Sequence, residues 1–479
     1  MMRYFSLSYR RFASLLLAGV FLAVGCGSTE PDDSPDDSEP PPTFNLAHLD
    51  YLGETVQHGG ETFRIVHIYA DAPSYEWVGD DDEGIACVDD AARAAVVYLR
   101  HFEMTGAAAS REKAEELLRF VMYMQRDNGL FYNFVWDNTL DINTTHPNSR
   151  ADAFEWWAAR GVWALGTGAR VLATANPEFA AESAEHVRRT FPHLNALLDH
   201  YGETTTQGGR TLPRWLVGEN AADATSELLL GLVALNEVSP DAELQTMIDR
   251  FAEGIALMQY GSMNTFPYGF HASYPGGWHG WGNSQTQALA EAGVTASAER
   301  EAEQFYPRLL VDGWLHSIPF SGDVRRFEQI AYATRCVTVG LLRLYEATGD
   351  ERYATMAGLA ASWFTGDNVA DFAMYDAEHG RGYDGINGPD SVNLNSGAES
   401  TIEALFSVLE VERVPTARAW MTARGGEPVE LDRDGKTYRY RLFTVGSGDA
   451  QQRVAVVMNL TDEHFQLLEG DALDALLNP

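Results

Sequence analysis

Two short runs hold the residues best suited to acid–base chemistry. In Gly84-Ile85-Ala86-Cys87-Val88-Asp89-Asp90-Ala91-Ala92-Arg93, two carboxylates and an arginine interrupt a small, apolar stretch. On a helix Asp89 and Arg93 share one face four residues apart, and Asp90 reaches the same guanidinium from three. A surface ion pair near a helix start, favoured by the macrodipole, would account for such a trio without any function. One arginine cannot fully pair two neighbouring acids, however, and an under-paired carboxylate on a buried helix carries a cost typical of functional sites. Asp90 is the preferred candidate and Asp89 its reserve. The second run, Asn393-Leu394-Asn395-Ser396-Gly397-Ala398-Glu399-Ser400-Thr401-Ile402-Glu403, sets Glu399 at another helix start. A paired Asp90 and Glu399 suit glycoside hydrolysis, with carboxyls about 6.5–9.5 Å apart for inversion and about 5–5.5 Å for retention. Glu328, close behind Asp323, Arg325 and Arg326, is a further reserve.

Polar and aromatic residues crowd the same kind of junction elsewhere. The loop Gly276-Gly277-Trp278-His279-Gly280-Trp281-Gly282-Asn283 combines two tryptophans with four glycines, which bury little on their own. Indole faces suit the apolar face of a sugar ring, although loop aromatics also serve as packing plugs. Candidate substrate contacts are Arg93, Arg150, Trp156, His271, Trp278, His279, Trp281, Tyr383 and Asn395. Acids at the remaining junctions, such as Asp152 and Asp223, also suit helix capping.

These residues need elements to bring them together. Apolar periodicity after Gly84 gives helical patterns in pairs, at about 84–105 with 110–126, 151–172 with 178–200, 220–237 with 240–258, 282–295 with 298–310, and 325–347 with 350–364, then one more at 396–411. Five to six such hairpins, with decorated loops on one side only, predict a mainly α fold: an (α/α)6 toroid over 44–412 whose inner helices are the first of each pair. In a closed ring the last inner helix lies beside the first, about 8–10 Å between axes, so Glu399 faces Asp89 and Asp90. Alternation in Tyr438 to Val445 and Arg453 to Leu460 predicts a β-hairpin within a small β-rich appendage, 413–479.

At these motifs the chain resembles bacterial helical-toroid proteins of the six-hairpin glycosidase-like class. The resemblance spans about Tyr69 to Leu409 and rests on Ile68-Tyr69-Ala70, the run at 84–93, Trp163-Ala164-Leu165-Gly166, Tyr345-Glu346-Ala347-Thr348-Gly349-Asp350-Glu351, and Asn395 to Thr401. It implies the toroid and a carbohydrate role, and it assigns no residue a mechanism, because such toroids host several reactions.

The amino terminus predicts export. Arg3, Arg10 and Arg11 precede an apolar run, Phe12 to Val24, too short to span a bilayer. Leu22-Ala23-Val24-Gly25-Cys26 resembles a lipoprotein signal, so 1–25 is expected to be removed and Cys26 lipidated. Residues 26–43, rich in Pro, Asp, Ser and Glu, are expected to form a disordered tether to the cell envelope, with that lipid as the membrane contact. The chain has 34 basic and 69 acidic residues, and losing three arginines with the signal moves the net charge from −35 to −38. That balance argues against nucleic acid as a partner. Cys87 and Cys336 are expected as buried free thiols.

The leading expectation is a monomeric glycoside hydrolase acting on an oligo- or polysaccharide. A polysaccharide lyase would instead use Tyr268 or His271 as base and Arg150 or Arg326 to neutralise the substrate, and an epimerase would use His271 and His279. A glycan-binding lipoprotein would need only the aromatic mouth. No metal or cofactor is required, though calcium near Asp137, Asp141 and Asn143 stays open. Zinc-protease and phosphate-loop motifs are missing.

Overall fold

A computed structural model describes residues 43–477. The signal segment, Cys26 and the tether to residue 42 lie outside the described residues. Twelve helices form six hairpins: α1 Val88–Thr105 with α2 Ala108–Tyr123, α3 Trp156–Val171 with α4 Pro177–Arg188, α5 Ala222–Val238 with α6 Ala242–Leu257, α7 Gln285–Glu291 with α8 Thr295–Gln304, α9 Ala331–Thr348 with α10 Glu351–Ala361, and α11 Ala398–Glu412 with α12 Pro415–Trp420. The odd-numbered helices pack each against the next, and α11 packs against α1, so the inner ring closes.

Burial explains which helix of each pair faces inward. In α1 every residue from Val88 to Leu99 is buried, and in α9 every residue from Ala331 to Leu344. Such helices have no face left for solvent. Outer helices such as α2 and α6 keep one apolar stripe and one wet face, as amphipathic helices do. Close approach is built into the ring where α3 crosses α5. A Cβ on Gly166 would stand 2.1 Å from the carbonyl oxygen of Gly231, and one on Gly231 would stand 2.3 Å from that of Val162.

The expected division at residue 412 needs correction, because it falls between the two helices of the sixth hairpin. Helix α12 packs on α10 and α11, and the sheet begins only at Arg424. This sheet has five antiparallel strands, with Lys436–Val445 paired to Gln452–Asn459 at its centre. It docks through Arg439 on Asp312 (2.5 Å), Arg441 on Asp367 (2.9 Å) and the Ser262 hydroxyl on Glu463 (2.7 Å). Cys87 and Cys336 are buried and unbridged. Among the described residues no helix is long and apolar enough to cross a membrane.

Candidate active site

Because every inner helix is the first of its pair, all six run the same way and bring their N-termini to one mouth. The macrodipoles there favour carboxylates, and Asp89, Asp90, Asp223 and Glu399 all lie in first turns.

Beneath the mouth lies a buried ionic cluster. Arg93 donates to Asp90 (2.7 Å), Glu399 (3.2 Å) and Glu403 (2.8 Å). Arg160 of α3 donates to Asp89 (2.9 Å) and Glu227 (2.8 Å), and Arg335 of α9 donates to Glu403 (2.5 Å). Tyr332 completes it, accepting from Arg160 at 2.9 Å and donating to Glu227, with the guanidinium carbons of Arg93, Arg160 and Arg335 at 4.9, 5.5 and 4.9 Å from its ring centroid. Five carboxylates meet three guanidinium groups. Burial pushes Asp90 up to about 6 against the pull of Arg93, and it raises Asp89 as well.

This geometry corrects the expected pairings. The Asp89 carboxylate meets Arg160 and the Asn133 amide (2.8 Å), leaving only its backbone carbonyl to Arg93 (3.2 Å), while the Asp90 carboxylate pairs with Arg93 and also accepts from the Cys87 thiol (3.2 Å). Neither acid is under-paired, since the second cation comes from another helix. Asp90 and Glu399 do converge, but the Arg93 guanidinium stands between them where a scissile bond was expected. With 2% of its side chain exposed, Arg93 is a clamp inside the wall, not a contact for substrate.

Above the cluster two further carboxyls, Glu328 and Asp384, converge with Glu399. Strand Gln329–Ile330 pairs with Gly385–Gly388, which sets Glu328 beside Asp384. The approach is tight, as a Cβ on Gly385 would lie 2.9 Å from the Glu328 carboxyl. Burial, then the Asp384 and Glu399 carboxylates, push Glu328 up to about 7. Asp384 accepts from the Ser400 hydroxyl (2.8 Å), and burial lifts it to about 6. Glu399 is the most open of the three, with 49% of its side chain exposed.

A second wall is aromatic. Trp281, half-buried, stacks on His279 (3.9 Å between centroids, 12°) and tilts against His316 (5.0 Å). His279 meets Asp223 at 3.1 Å through Nε2. His316 donates through Nδ1 to the Glu328 carbonyl (2.8 Å), which leaves Nε2 as the basic nitrogen, and burial holds the imidazole below its ordinary pKa. Trp156, half-buried at the start of α3, lies 4.9 Å from the Arg160 guanidinium.

Other expected contacts separate from this group. His271 is wholly buried between Glu301 and the Ser297 hydroxyl, both at 2.8 Å, which removes it as a base. Trp278, 4% exposed, packs on Phe305 and Phe270 and is a plug. Tyr268 lies under the Arg308 guanidinium (4.2 Å), and Arg326 donates to the Asp312 carbonyl. Arg150 is exposed on the loop before α3. The Asn395 side chain accepts from the Ala72 amide (3.0 Å), and half-buried Tyr383 packs on Phe372 (5.8 Å). Among the described residues no three His, Cys, Asp or Glu side chains gather as a metal site. In the loop considered for calcium, Asn143 turns its side-chain oxygen to the Thr145 and His146 amides, and Asp137 caps Thr139.

Sequence reading missed Arg160, Glu227, Tyr332, Arg335, His316 and the role of Asp384. A signal existed for three of them, since a charged residue interrupts the apolar second turn in Trp156-Trp157-Ala158-Ala159-Arg160, Asp223-Ala224-Thr225-Ser226-Glu227 and Ala331-Tyr332-Ala333-Thr334-Arg335.

No protein-family model matches the sequence, and no curated protein is similar to it. Similar folds occur among solved structures. Cellobiose 2-epimerase from Bacillus thermoamylovorans superposes with a TM-score of 0.52 at 13% identity, over 73% of this chain and 92% of that one. Cellobiose 2-epimerase from Spirochaeta thermophila gives 0.50 at 15% identity over 73% and 90%. A D-mannose isomerase gives 0.51 at 13% identity over 72% and 91%. At these identities the likeness establishes the toroid fold.

Proposed function

We propose that the chain is a carbohydrate-active enzyme that cleaves a glycosidic bond in the toroid mouth, with Glu328 as general acid and Glu399 as its carboxylate partner. The observation that carries this reading is the raised pKa of Glu328, about 7, beside an open Glu399 held by Arg93. An acid must keep its proton near neutral pH to deliver it to a leaving oxygen, and burial among other carboxylates does that for Glu328. Glu399, anchored on one oxygen by Arg93, is suited to activate water or attack the anomeric carbon. Asp90 acts through Arg93 as a positioning residue. Trp281 and Trp156 offer ring surface to the sugar. The fold likeness to sugar epimerases and isomerases adds support for a saccharide substrate.

A panel of neutral and acidic glycans, scored for new reducing ends, tests this. Cleavage should fall by about 10²–10⁴-fold in Glu328→Gln and in Glu399→Gln, the usual worth of a general acid or base. Cleavage by Glu328→Gln at the unaltered rate would sink the assignment.

One observation favours a second reading. A neutral His316 with its basic Nε2 beside Trp281 and His279 suits proton abstraction next to a sugar carbonyl, as an epimerase or isomerase requires. Deuterium uptake from solvent into a reducing sugar, abolished in His316→Asn, would favour it over hydrolysis.

A further inference from the structure

A second surface carries exposed aromatic rings. Tyr51 is 44% exposed and Trp77 41%, and their centroids lie 5.6 Å apart at a tilt of 46°. They are not loose side chains. The His67 imidazole stacks on one face of Trp77 (3.8 Å, 12°) and is itself held by Glu54 (2.8 Å), so the exposure of the indole comes from its other face and edge. Beside them lies a cavity of about 330 Å³ lined by Tyr51, Tyr75, Glu378, His379 and Arg381, with buried His48 at its floor. That volume is at the lower end of the roughly 300–1,000 Å³ of small-molecule sites. Tyr75 is held with φ at 57°, a left-handed conformation that a bulky residue rarely takes, and the Arg381 guanidinium covers its ring at 4.1 Å. Backbone strain of this kind gathers at ligand sites.

We infer that Tyr51, Trp77 and Tyr75, rimmed by Glu378, His379 and Arg381, form a platform that binds a neutral saccharide chain outside the mouth. The inference rests on the saccharide reading above. Ring faces set among a carboxylate, an imidazole and a guanidinium match a sugar's apolar face and its hydroxyl edge. His379 and Arg381 are held by Asp376 (2.7 and 3.8 Å), but an apolar peptide would cover the exposed Glu378 carboxylate and offer no acceptor to the unpartnered Arg381 Nε–H, and the net charge of −35 disfavours an acidic polymer. The platform is also tied to the mouth. The Ala72 amide in its loop donates to Asn395 (3.0 Å), and His48 donates to the Ser396 carbonyl (2.8 Å), three residues before Glu399. The platform is thus fastened to the loop that leads into the helix carrying Glu399.

The test is affinity electrophoresis of residues 43–479 carrying Glu328→Gln through gels of soluble β-glucan, xylan, mannan or arabinan, which separates binding from turnover. We expect retardation in at least one gel. Adding Trp77→Ala or Tyr51→Ala should weaken it about tenfold, the scale of one lost ring contact, while Trp77→Phe should keep most of it. Circular dichroism should be unchanged, since both rings are exposed. Retardation indifferent to Trp77 and Tyr51, or no retardation in any gel, overturns the platform. The two readings fail separately: platform-dependent binding by a chain that cleaves no glycan would sink the hydrolase and keep the platform, whereas cleavage with binding untouched by Trp77→Ala would do the reverse.

Discussion

Glu328 is a carboxyl that the folded protein prefers to keep protonated, and this makes its presence visible in stability as well as in rate. Its pKa rises from 4.5 to about 7 on folding, so between those values the native state holds the extra proton. Stability is then lost as pH rises through this window, and the penalty is complete above about 7. Glutamine carries no charge to bury. Glu328→Gln should therefore melt like the parent at pH 4.5 and become more stable above pH 7, by about 1–2 kcal/mol once solvent screening of a half-buried group is allowed for. Thermal melts at both pH values check this, and an equal effect at both would refute it. Rate should move the same way, with cleavage falling as pH climbs past about 7 and Glu328 loses its proton. At this scale the sequence was partly legible. That Asp90 and Glu399 come to the same side of the ring followed from its closure, which sets the last inner helix beside the first, although they share Arg93 and do not face each other across a gap. That Arg160 relieves Asp89 did not, because a residue 71 positions away supplies the charge. His271 and His279 look alike in sequence and both are buried, but His271 is fixed in the core by Glu301, 30 residues beyond, whereas His279 meets Asp223 and stacks on half-buried Trp281.

Among the elements, the inner helices are set by what they cannot hold as much as by what they do. The crossing of α3 and α5 brings backbone to backbone at Gly166 and Gly231, where a methyl group has no room. Gly166→Ala and Gly231→Ala should each cost about 1–3 kcal/mol, as overpacked core sites do, despite alanine's better helix propensity. Urea unfolding should show a lower midpoint with an unchanged slope, and a stabilised variant would contradict the packing argument. Eleven of the ring helices were readable, because the stretch around each carries an apolar period or a fully apolar run. The twelfth, Pro415–Trp420, was not, since six residues give too little period to separate a helix from the loops before a sheet. Glu328 faced a similar limit, as its position depends on a two-residue strand pairing with residues near 385.

In the whole molecule the ring is tied at both rims. The mouth cluster joins α1, α3, α5, α9 and α11, and near the opposite ends Arg100 and Arg343 share Glu410 (2.7 and 2.6 Å), while Arg170 meets Glu103 (2.7 Å). The C-terminal sheet is fastened to the same body by its own ion pairs. Calorimetry of residues 43–479 should accordingly show one cooperative transition, and a separate early peak removed by deleting the sheet would contradict this. Closure has a consequence for the order of assembly. Arg93 and Glu403 stand 310 positions apart, so a chain made from its amino terminus must complete five hairpins before the two acids of α11 that close the ring on Arg93 exist. No partial ring can hold Glu399 over the mouth, and the carboxyl cluster comes together only when the toroid shuts. On the proposed hydrolase reading, any activity must wait for the sixth hairpin, and a chain truncated before Glu399 has its walls without that carboxyl.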